Sequence, residues 1–224
     1  DDDHKKVIIW SERLMPNWVI ADPDLTLDLP RSVTAATGID ALTHNIEAYL
    51  SKTTHPLCDG IALEGIHLVS KFLLRACENP HDKEARAGML AASMMGAVAF
   101  QKGLGVTHSC AHALSTCYDL HHGLSNALML EACLEFNADV SKEKFIRMAQ
   151  ILGFLCADFS KAQEKIISWV RSLIENVGIK KGLKNYGVDL NDKLIETAFL
   201  DSCHANNPRI CQKEDFALLF EKSL

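Results

Sequence analysis

The spacing of apolar residues from Pro30 to the C-terminus constrains the fold more than any other feature of this sequence. Apolar side chains recur every three or four positions, as at Ile39, Leu42 and Ile46, and this is the period of an amphipathic α-helix. The pattern predicts a helix ending near Ser51 and further helices at residues 57–77, 83–102, 107–117, 123–136, 142–152, 161–177, 192–203 and 214–222. From residue 31 onward we therefore expect an all-α bundle.

The first 30 residues follow a different pattern. Two short runs of β-branched or aromatic residues, at 7–10 and 18–21, predict β-strands. Because two strands do not make a stable sheet alone, we expect them to be the remnant of a larger sheet. The sequence thus predicts two parts. Residues 1–30 are the remnant or junction of an N-terminal nucleotide-binding α/β domain, and residues 31–224 form an all-α catalytic domain.

The composition excludes several classes of function. Apolar residues make up 48% of the 224 residues and charged residues 23%, which is typical of a globular protein and argues against disorder. The net charge is −6 and there is no basic block, so we expect no nucleic-acid partner and no membrane surface. The eight cysteines lack CxxC spacing, and the chain does not open with an apolar signal region. We therefore expect reduced thiols and a cytoplasmic location.

Aspartate and histidine residues recur at one-turn spacing in two predicted helices. Two pairs lie four positions apart, and two adjacent histidines open the next helix: Asp40 with His44, His108 with His112, and His121-His122. Four-residue spacing puts both members of a pair on one helix face. A carboxylate and several imidazoles on facing helices can form a metal site in a bundle. Spacing alone equally allows surface or capping roles, so both interpretations stay open at this point.

Three segments contain specific sequence motifs: TGIDALTHNIEAY at residues 37–49, GLGVTHSCAHAL at 103–114 and HHGLSNA at 121–127. They resemble the iron-containing alcohol dehydrogenase family. Residues 16–23 resemble the domain junction of that family, and residues 207–209 and 214–216 resemble its closing segment. The resemblance covers nearly the whole chain. It implies a mainly all-α helical bundle, the dehydroquinate synthase-like C-terminal domain, together with a short β remnant.

One departure from the family concerns the dinucleotide. Members have an N-terminal α/β domain with a Gly-Gly-Gly-Ser-type phosphate loop, and this sequence has no such loop. Gly103-Leu104-Gly105 follows a predicted helix rather than a strand, so we interpret it as a helix end. The chain also begins at Asp1 rather than at methionine. We therefore expect a processed product or a fragment that largely lacks the nucleotide-binding domain and exposes an apolar inner face.

The resemblance implies a metal bound by one aspartate and three histidines, which are Asp40, His44, His108 and His122. The step of fourteen residues from His108 selects His122 over His121. His112 matches a histidine of the family that is not a ligand and lies near the nicotinamide and the substrate. We interpret His112 as a catalytic and cofactor-binding residue that can give and take a proton.

The ligand set favours particular ions. Four protein ligands would fill the tetrahedral shell of Zn²⁺ but would leave room for a substrate oxygen on Fe²⁺ or Mn²⁺. We expect Fe²⁺, with Zn²⁺ or Mn²⁺ as possible replacements. The resemblance implies hydride transfer between NAD or NADP and a small alcohol or aldehyde, with the metal polarising the substrate oxygen.

Two other functions stay open. One is a helical metallohydrolase that activates water with the same ligands, and the other is a catalytically inactive, truncated metal-binding fragment. The partners we expect are the small substrate, the missing N-terminal domain and, as a possible assembly, further copies of the chain.

Two acidic residues receive simpler interpretations. Glu47 lies three positions after His44 and could bind a ligand imidazole, but we favour a solvated salt bridge. Asp59 follows the start of the second predicted helix, and we interpret it as the cap of that helix.

Overall fold

The computed structural model describes residues 11–224. Within this range the chain forms nine α-helices joined by loops and short 3-10 turns, and the predicted all-α bundle is confirmed. The helices are α1 Arg31–Leu50, α2 Pro56–Glu78, α3 Lys83–Ala99, α4 Val106–Tyr118, α5 His122–Ala138, α6 Lys142–Ile151, α7 Phe159–Asn176, α8 Asp192–Phe199 and α9 Lys213–Ser223.

Side-chain caps explain where two of these helices begin. Asp82 starts α3 by accepting the backbone N–H of Ala85 at 3.0 Å. At the start of α2, Nδ1 of His55 accepts the N–H of Cys58 at 3.3 Å. The predicted cap by Asp59 is therefore wrong. Asp59 lies inside the first turn of α2, where its carboxylate forms an ion pair with a lysine.

Helix α1 is the centre of the bundle and packs against α2, α3 and α5. Its apolar residues Ile39, Leu42 and Ile46 are fully buried, and burial of each such side chain stabilises the fold by about 1.5–3 kcal/mol. At the start of α5, a Cβ on Gly123 would lie 2.3 Å from the backbone oxygen of Ala36. Only glycine permits this approach of α5 to α1, because the atom in the way belongs to the backbone.

Residues 11–30 contain no β-strand, so the strand predicted at 18–21 is wrong. This segment has two 3-10 turns, Glu12–Leu14 and Pro23–Thr26, and irregular chain between them. A strand needs a hydrogen-bonded neighbour, and none pairs with it in the described part of the chain. Trp18 and Ile20 are each 89% exposed. The other predicted strand, at 7–10, lies outside the described residues.

The segment after α8 differs from the prediction. A helix was expected over residues 192–203, but α8 ends at Phe199, and a 3-10 turn follows at Cys203–Asn206. The carboxylate of Asp201 accepts the backbone N–H of Cys203 at 2.8 Å. This local hydrogen bond offers the backbone an alternative to the helical pattern and frees the loop to turn toward α4.

Helix length bears on membrane insertion, because a span takes about 20 apolar residues. Among residues 11–224 no single helix has the length and apolar character to cross a bilayer. One pair meets the requirement jointly, Lys83–Lys102 with Val106–Tyr118, across a bend of 107°.

Candidate metal centre

The fold brings together all four residues that the sequence predicts as ligands. Asp40 and His44 lie one turn apart on α1, His108 lies in the first turn of α4, and His122 is the first residue of α5. One donor atom from each residue lies within 4.8 Å of the others. The Oδ1 atom of Asp40 lies 3.9 Å from Nδ1 of His44, 3.8 Å from Nε2 of His108 and 3.4 Å from Nε2 of His122.

The two adjacent histidines lie in different surroundings. His122 faces the cluster, whereas His121 is exposed and occupies the N-cap position of α5. The contact of Gly123 with the backbone of α1 places the first residue of α5 beside Asp40. A side chain at position 123 would push α5 outward and carry His122 away from the cluster.

Glu47 fixes the orientation of His108. Its buried carboxylate accepts hydrogen bonds from Nδ1 of His108 at 2.7 Å, from N of Thr107 at 2.6 Å and from N of Gly105 at 2.9 Å. The expected solvated salt bridge is wrong, because Glu47 is only 4% exposed. With the Nδ1 proton held by Glu47, the lone pair on Nε2 of His108 points toward the cluster.

The charge on Glu47 survives burial. Burial alone would raise the pKa of Glu47, but the hydrogen bonds from His108 and Thr107 outweigh it and lower the pKa below the ordinary value. Those donors include the first backbone N–H groups of α4, where the helix dipole also favours a negative charge. Glu47 therefore joins the C-terminal half of α1 to the start of α4.

Asn126 is a residue of this site that the sequence reasoning missed. It lies one turn after His122 on α5 and is fully buried. Its Nδ2 atom donates to Oδ1 of Asp40 at 2.6 Å and lies 3.2 Å from Nε2 of His122. Asn126 thus orients the carboxylate of Asp40. Four-residue spacing from His122 was the one signal in the sequence that could have identified it.

The chemistry of the donor atoms fits a divalent cation. Burial is the largest effect on His44 and, with the neighbouring His108, lowers its pKa to about 4, so its imidazole is neutral at pH 7. Neutral imidazoles and one carboxylate suit Fe²⁺, Mn²⁺ or Zn²⁺. The assignment of Asp40, His44, His108 and His122 as metal ligands remains a prediction that this arrangement supports.

His112 stands beside the cluster and does not belong to it. It is 7% exposed, and its ring stacks on the ring of His122 with centroids 5.1 Å apart. Its Nδ1 atom contacts Oδ2 of Asp201 at 2.8 Å. The other oxygen of Asp201 accepts a hydrogen bond from Oγ of Ser109 at 2.8 Å. No sequence pattern pointed to Asp201, which lies 89 positions from His112.

The His112–Asp201 pair also keeps its carboxylate ionised. Burial would raise the pKa of Asp201, but the hydrogen bonds from His112 and from the backbone of Cys203 lower the pKa well below the ordinary range. An ionised Asp201 accepts the Nδ1 proton of His112 and leaves Nε2 as the ring nitrogen that can exchange a proton.

A cavity of about 710 Å³ opens onto these groups. Its walls include the four histidines of the site and several residues of the neighbouring turns: His44, His108, His112, His122, Phe100, Lys102, Cys203 and Asn206. The cavity can admit a small organic molecule to the cluster of donors.

The sequence profile described as the C-terminal part of the Fe-containing alcohol dehydrogenase family matches residues 34–224. This chain belongs to that family. The match covers all four predicted ligand residues.

Several named relatives align along nearly all of the chain. The 4-hydroxybutyrate dehydrogenase of Cupriavidus necator is 38% identical over 100% of this chain and 60% of the relative. The NAD-dependent methanol dehydrogenase of Bacillus methanolicus is 35% identical over 98% of this chain and 59% of the relative. The 1,3-propanediol dehydrogenase of Klebsiella pneumoniae is 35% identical over 97% and 58%. The chain spans about 60% of the length of these curated relatives.

Solved structures of the iron-containing alcohol dehydrogenases share the same fold. A crystal structure of 1,3-propanediol oxidoreductase superposes with a TM-score of 0.88 at 34% identity, covering 91% of this chain and 55% of that one. Sulfoacetaldehyde reductase from Bifidobacterium kashiwanohense, solved in complex with NAD⁺, gives a TM-score of 0.80 at 28% identity, covering 90% and 53%.

Proposed function

We propose that this chain supplies the metal-binding part of a metal-dependent alcohol dehydrogenase that transfers hydride between NAD or NADP and a small alcohol or aldehyde. The observation that carries the proposal is the convergence of Asp40, His44, His108 and His122. The three histidines of this cluster line a cavity large enough for such a substrate. The named activities of the relatives, on 4-hydroxybutyrate, methanol and 1,3-propanediol, support the substrate class.

The four donors would hold Fe²⁺, with Zn²⁺ or Mn²⁺ as replacements. When bound, the ion supplies a Lewis acid for the alcohol or carbonyl oxygen, and the nicotinamide supplies the hydride acceptor or donor. Because only one of the four donors is a carboxylate, a divalent ion held here would leave a net charge of about +1 at the site. Fe²⁺ accepts more than four ligands, so this donor set leaves it room for substrate.

The surrounding residues hold these donors in place. Glu47 keeps the proton of His108 on Nδ1 and its Nε2 lone pair toward the cluster. Asn126 donates to Oδ1 of Asp40. Because both partners are buried, they fix the orientation of the ligands before any cation binds, and this preorganisation lowers the cost of binding.

His112 is the group that we assign to proton transfer. Asp201 holds its Nδ1 proton, and His112 itself lines the cavity. An imidazole held in this way can take a proton from an alcohol through Nε2 and return it to an alkoxide. Contact of His112 with the nicotinamide cofactor is part of the same proposal.

The remaining parts of the enzyme are proposed from its relatives. The greater length of those relatives supports an N-terminal nucleotide-binding domain as the partner of this one. Exposed apolar side chains between residues 14 and 25 offer a surface for such a domain: Leu14, Met15, Trp18, Val19, Ile20 and Leu25. A cytoplasmic location is part of this proposal, and the lack of a disulfide among the described cysteines supports it. The choice between NAD and NADP and the assembly of several copies stay predictions.

A matched pair of histidine variants tests the metal centre. We expect anaerobic titration with Fe²⁺ to give one tightly bound ion per chain in the wild type and in His121→Ala. We expect His122→Ala to lose this ion or to bind it at least about 100-fold more weakly, because one ligand is gone. Equal binding by the two variants would show that the ligand assignment is wrong.

Activity distinguishes the proposal from its alternatives. We expect the native iron-loaded protein that contains this chain to reduce NAD⁺ or NADP⁺ with primary alcohols, and His112→Ala to lose activity and to change its pH profile. Hydrolysis of phosphate or amide esters without nucleotide would favour the metallohydrolase instead. Metal binding with neither activity would identify an inactive metal-binding protein.

A further inference from the structure

A second group of metal-binding side chains lies on the other side of His112. Nδ1 of His112, a carboxylate oxygen of Asp201 and Sγ of Cys203 lie within 4.8 Å of one another. His112 belongs to α4, and the other two residues belong to the loop after α8. We propose that His112, Asp201 and Cys203 form a second site for a divalent cation, which takes zinc or a similar thiolate-binding ion in preference to iron.

The donor set supports this choice of ion. A thiolate, an imidazole and a carboxylate are the three ligand types that zinc uses in proteins, and three protein ligands leave a fourth position open. The first cluster has nitrogen and oxygen donors only, whereas the second has sulfur, which softer ions prefer. Two anionic ligands, from Cys203 and Asp201, balance a divalent ion, so the occupied site is electrically neutral beside the first cluster.

The distances are close to those that a bound zinc ion requires. Sγ of Cys203 lies 4.0 Å from Nδ1 of His112, and Nδ1 lies 2.8 Å from Oδ2 of Asp201. At ordinary zinc–ligand bond lengths, tetrahedral geometry sets these separations at about 3.6 Å and about 3.4 Å. Each therefore has to change by about half an ångström, which small rotations of the side chains can supply.

The neighbours of Asp201 prepare it for this role. Its Oδ1 atom accepts hydrogen bonds from Oγ of Ser109 and from N of Cys203, each at 2.8 Å. These bonds fix the carboxylate and leave Oδ2 directed at His112. His112 and Cys203 both line the 710 Å³ cavity, so a cation could reach the site from that cavity.

Binding exchanges protons for the ion without any change of oxidation state. The thiol proton of Cys203 leaves to solvent, and the ring proton of His112 moves from Nδ1 to Nε2 by exchange with solvent, so a thiolate and a neutral imidazole bind the cation. The site itself does not depend on the proposed dehydrogenase activity. One consequence does rest on the proposed dehydrogenase activity. An ion at Nδ1 of His112 breaks the hydrogen bond to Asp201, so zinc bound at this second site would inhibit the enzyme.

Cobalt titration of the full chain tests the proposal, because Co²⁺ bound to a thiolate absorbs in the near ultraviolet and Co²⁺ bound only to nitrogen and oxygen does not. We expect a thiolate band in the wild type and in Cys117→Ser, a control that removes a different, partly buried thiol. We expect no band in Cys203→Ser, and binding at least about tenfold weaker in Asp201→Asn, since each loses a ligand. We expect His44→Ala to keep the band, because the first cluster is separate.

The outcomes separate this proposal from the proposed function. A band that persists in folded Cys203→Ser, or no band in the wild type after several equivalents of Co²⁺, would overturn the second site and leave the first untouched. If the wild type did not bind Fe²⁺, the first site would be overturned, and the cobalt–thiolate band would still be expected.

A measurement on the wild type alone keeps the test valid if variants misfold. X-ray absorption of protein loaded with two equivalents of zinc should show a sulfur neighbour at about 2.3 Å. A zinc environment of nitrogen and oxygen alone would overturn the proposal.

Discussion

Two carboxylate–histidine pairs lie at the candidate metal centre, and they differ in how they are held. Glu47 contacts Nδ1 of His108 at 2.7 Å, and Asp201 contacts Nδ1 of His112 at 2.8 Å. The first carboxylate is buried between two helices and receives backbone N–H groups from the start of α4. The second lies on a loop at the cavity, within reach of a thiol. The same kind of contact thus holds two helices together in the first pair, whereas in the second pair it lies where a ligand could reach it.

The largest expected effect comes from Glu47→Gln. Glutamine removes the buried charge and replaces one of the two acceptor oxygens with an NH2 donor, so His108 and the start of α4 lose part of their acceptor, and we expect a loss of about 3–5 kcal/mol in the free energy of unfolding. Fe²⁺ affinity should fall about 10–100-fold. Urea unfolding and metal titration measure both, with the exposed Glu64→Gln as the control. A loss below about 1 kcal/mol would mean that the pair does not provide the rigidity inferred here.

His44 belongs to neither pair, and its contribution to the free energy of unfolding should depend on pH. Its folded-state pKa is lowered to about 4, mainly by burial, from the ordinary 6.5. The unfolded chain therefore binds more protons between those values, and the unfolding free energy should fall as the pH drops from about 6.5 to about 4. The whole loss is roughly 3 kcal/mol at most. Unfolding in the presence of a chelator, compared with His44→Gln, measures it. An equally steep fall in the variant would assign the effect elsewhere.

Asp201→Asn should cost less than Glu47→Gln, because the loop around it can relax. We expect about 1–2 kcal/mol from the weakened hydrogen bonds to a charged group. Affinity for the first Fe²⁺ should change by less than about threefold, since Asp201 contacts none of the four ligands directly. Unfolding and titration curves check both numbers. If Asp201→Asn abolished the first ion as well, the two pairs would form a single unit.

The smallest expected effect is that of Ser109→Ala. Its Oγ donates to Asp201, and loss of this hydrogen bond should cost about 1 kcal/mol. Ser125→Ala is the matched control, because the buried Oγ of Ser125 has no hydrogen-bond partner within the described chain. Chemical denaturation should show a difference between the two variants. Equal losses would show that Ser109 does not support Asp201.

The sequence predicts what depends on local spacing. The periodic spacing of apolar residues predicted the positions of the helices. The predicted ligands lie together because each is at the start or on one face of a helix. The same logic failed where the outcome depended on distant chain. The environment of Glu47 depends on the start of α4, far along the chain. The strand predicted at residues 18–21 needed a neighbour that the described chain does not supply.

Asp201 shows a second limit. Its side chain competes with the backbone for hydrogen bonds, and this ends the helical pattern before the predicted residue 203. The contact with His112 joins residues 89 positions apart. Helical periodicity carries no information about such a contact, because only packing of the loop against α4 creates it.

The cluster of four donors has a consequence for folding. Its members come from α1, α4 and α5, so a shared ion would act as a reversible cross-link between distant parts of the chain, closing a long loop as a disulfide does. Unlike a disulfide, this cross-link strengthens with the concentration of the ion. The folded fraction of the protein would then follow the supply of metal around it, and metal scarcity would lower its abundance as well as its activity.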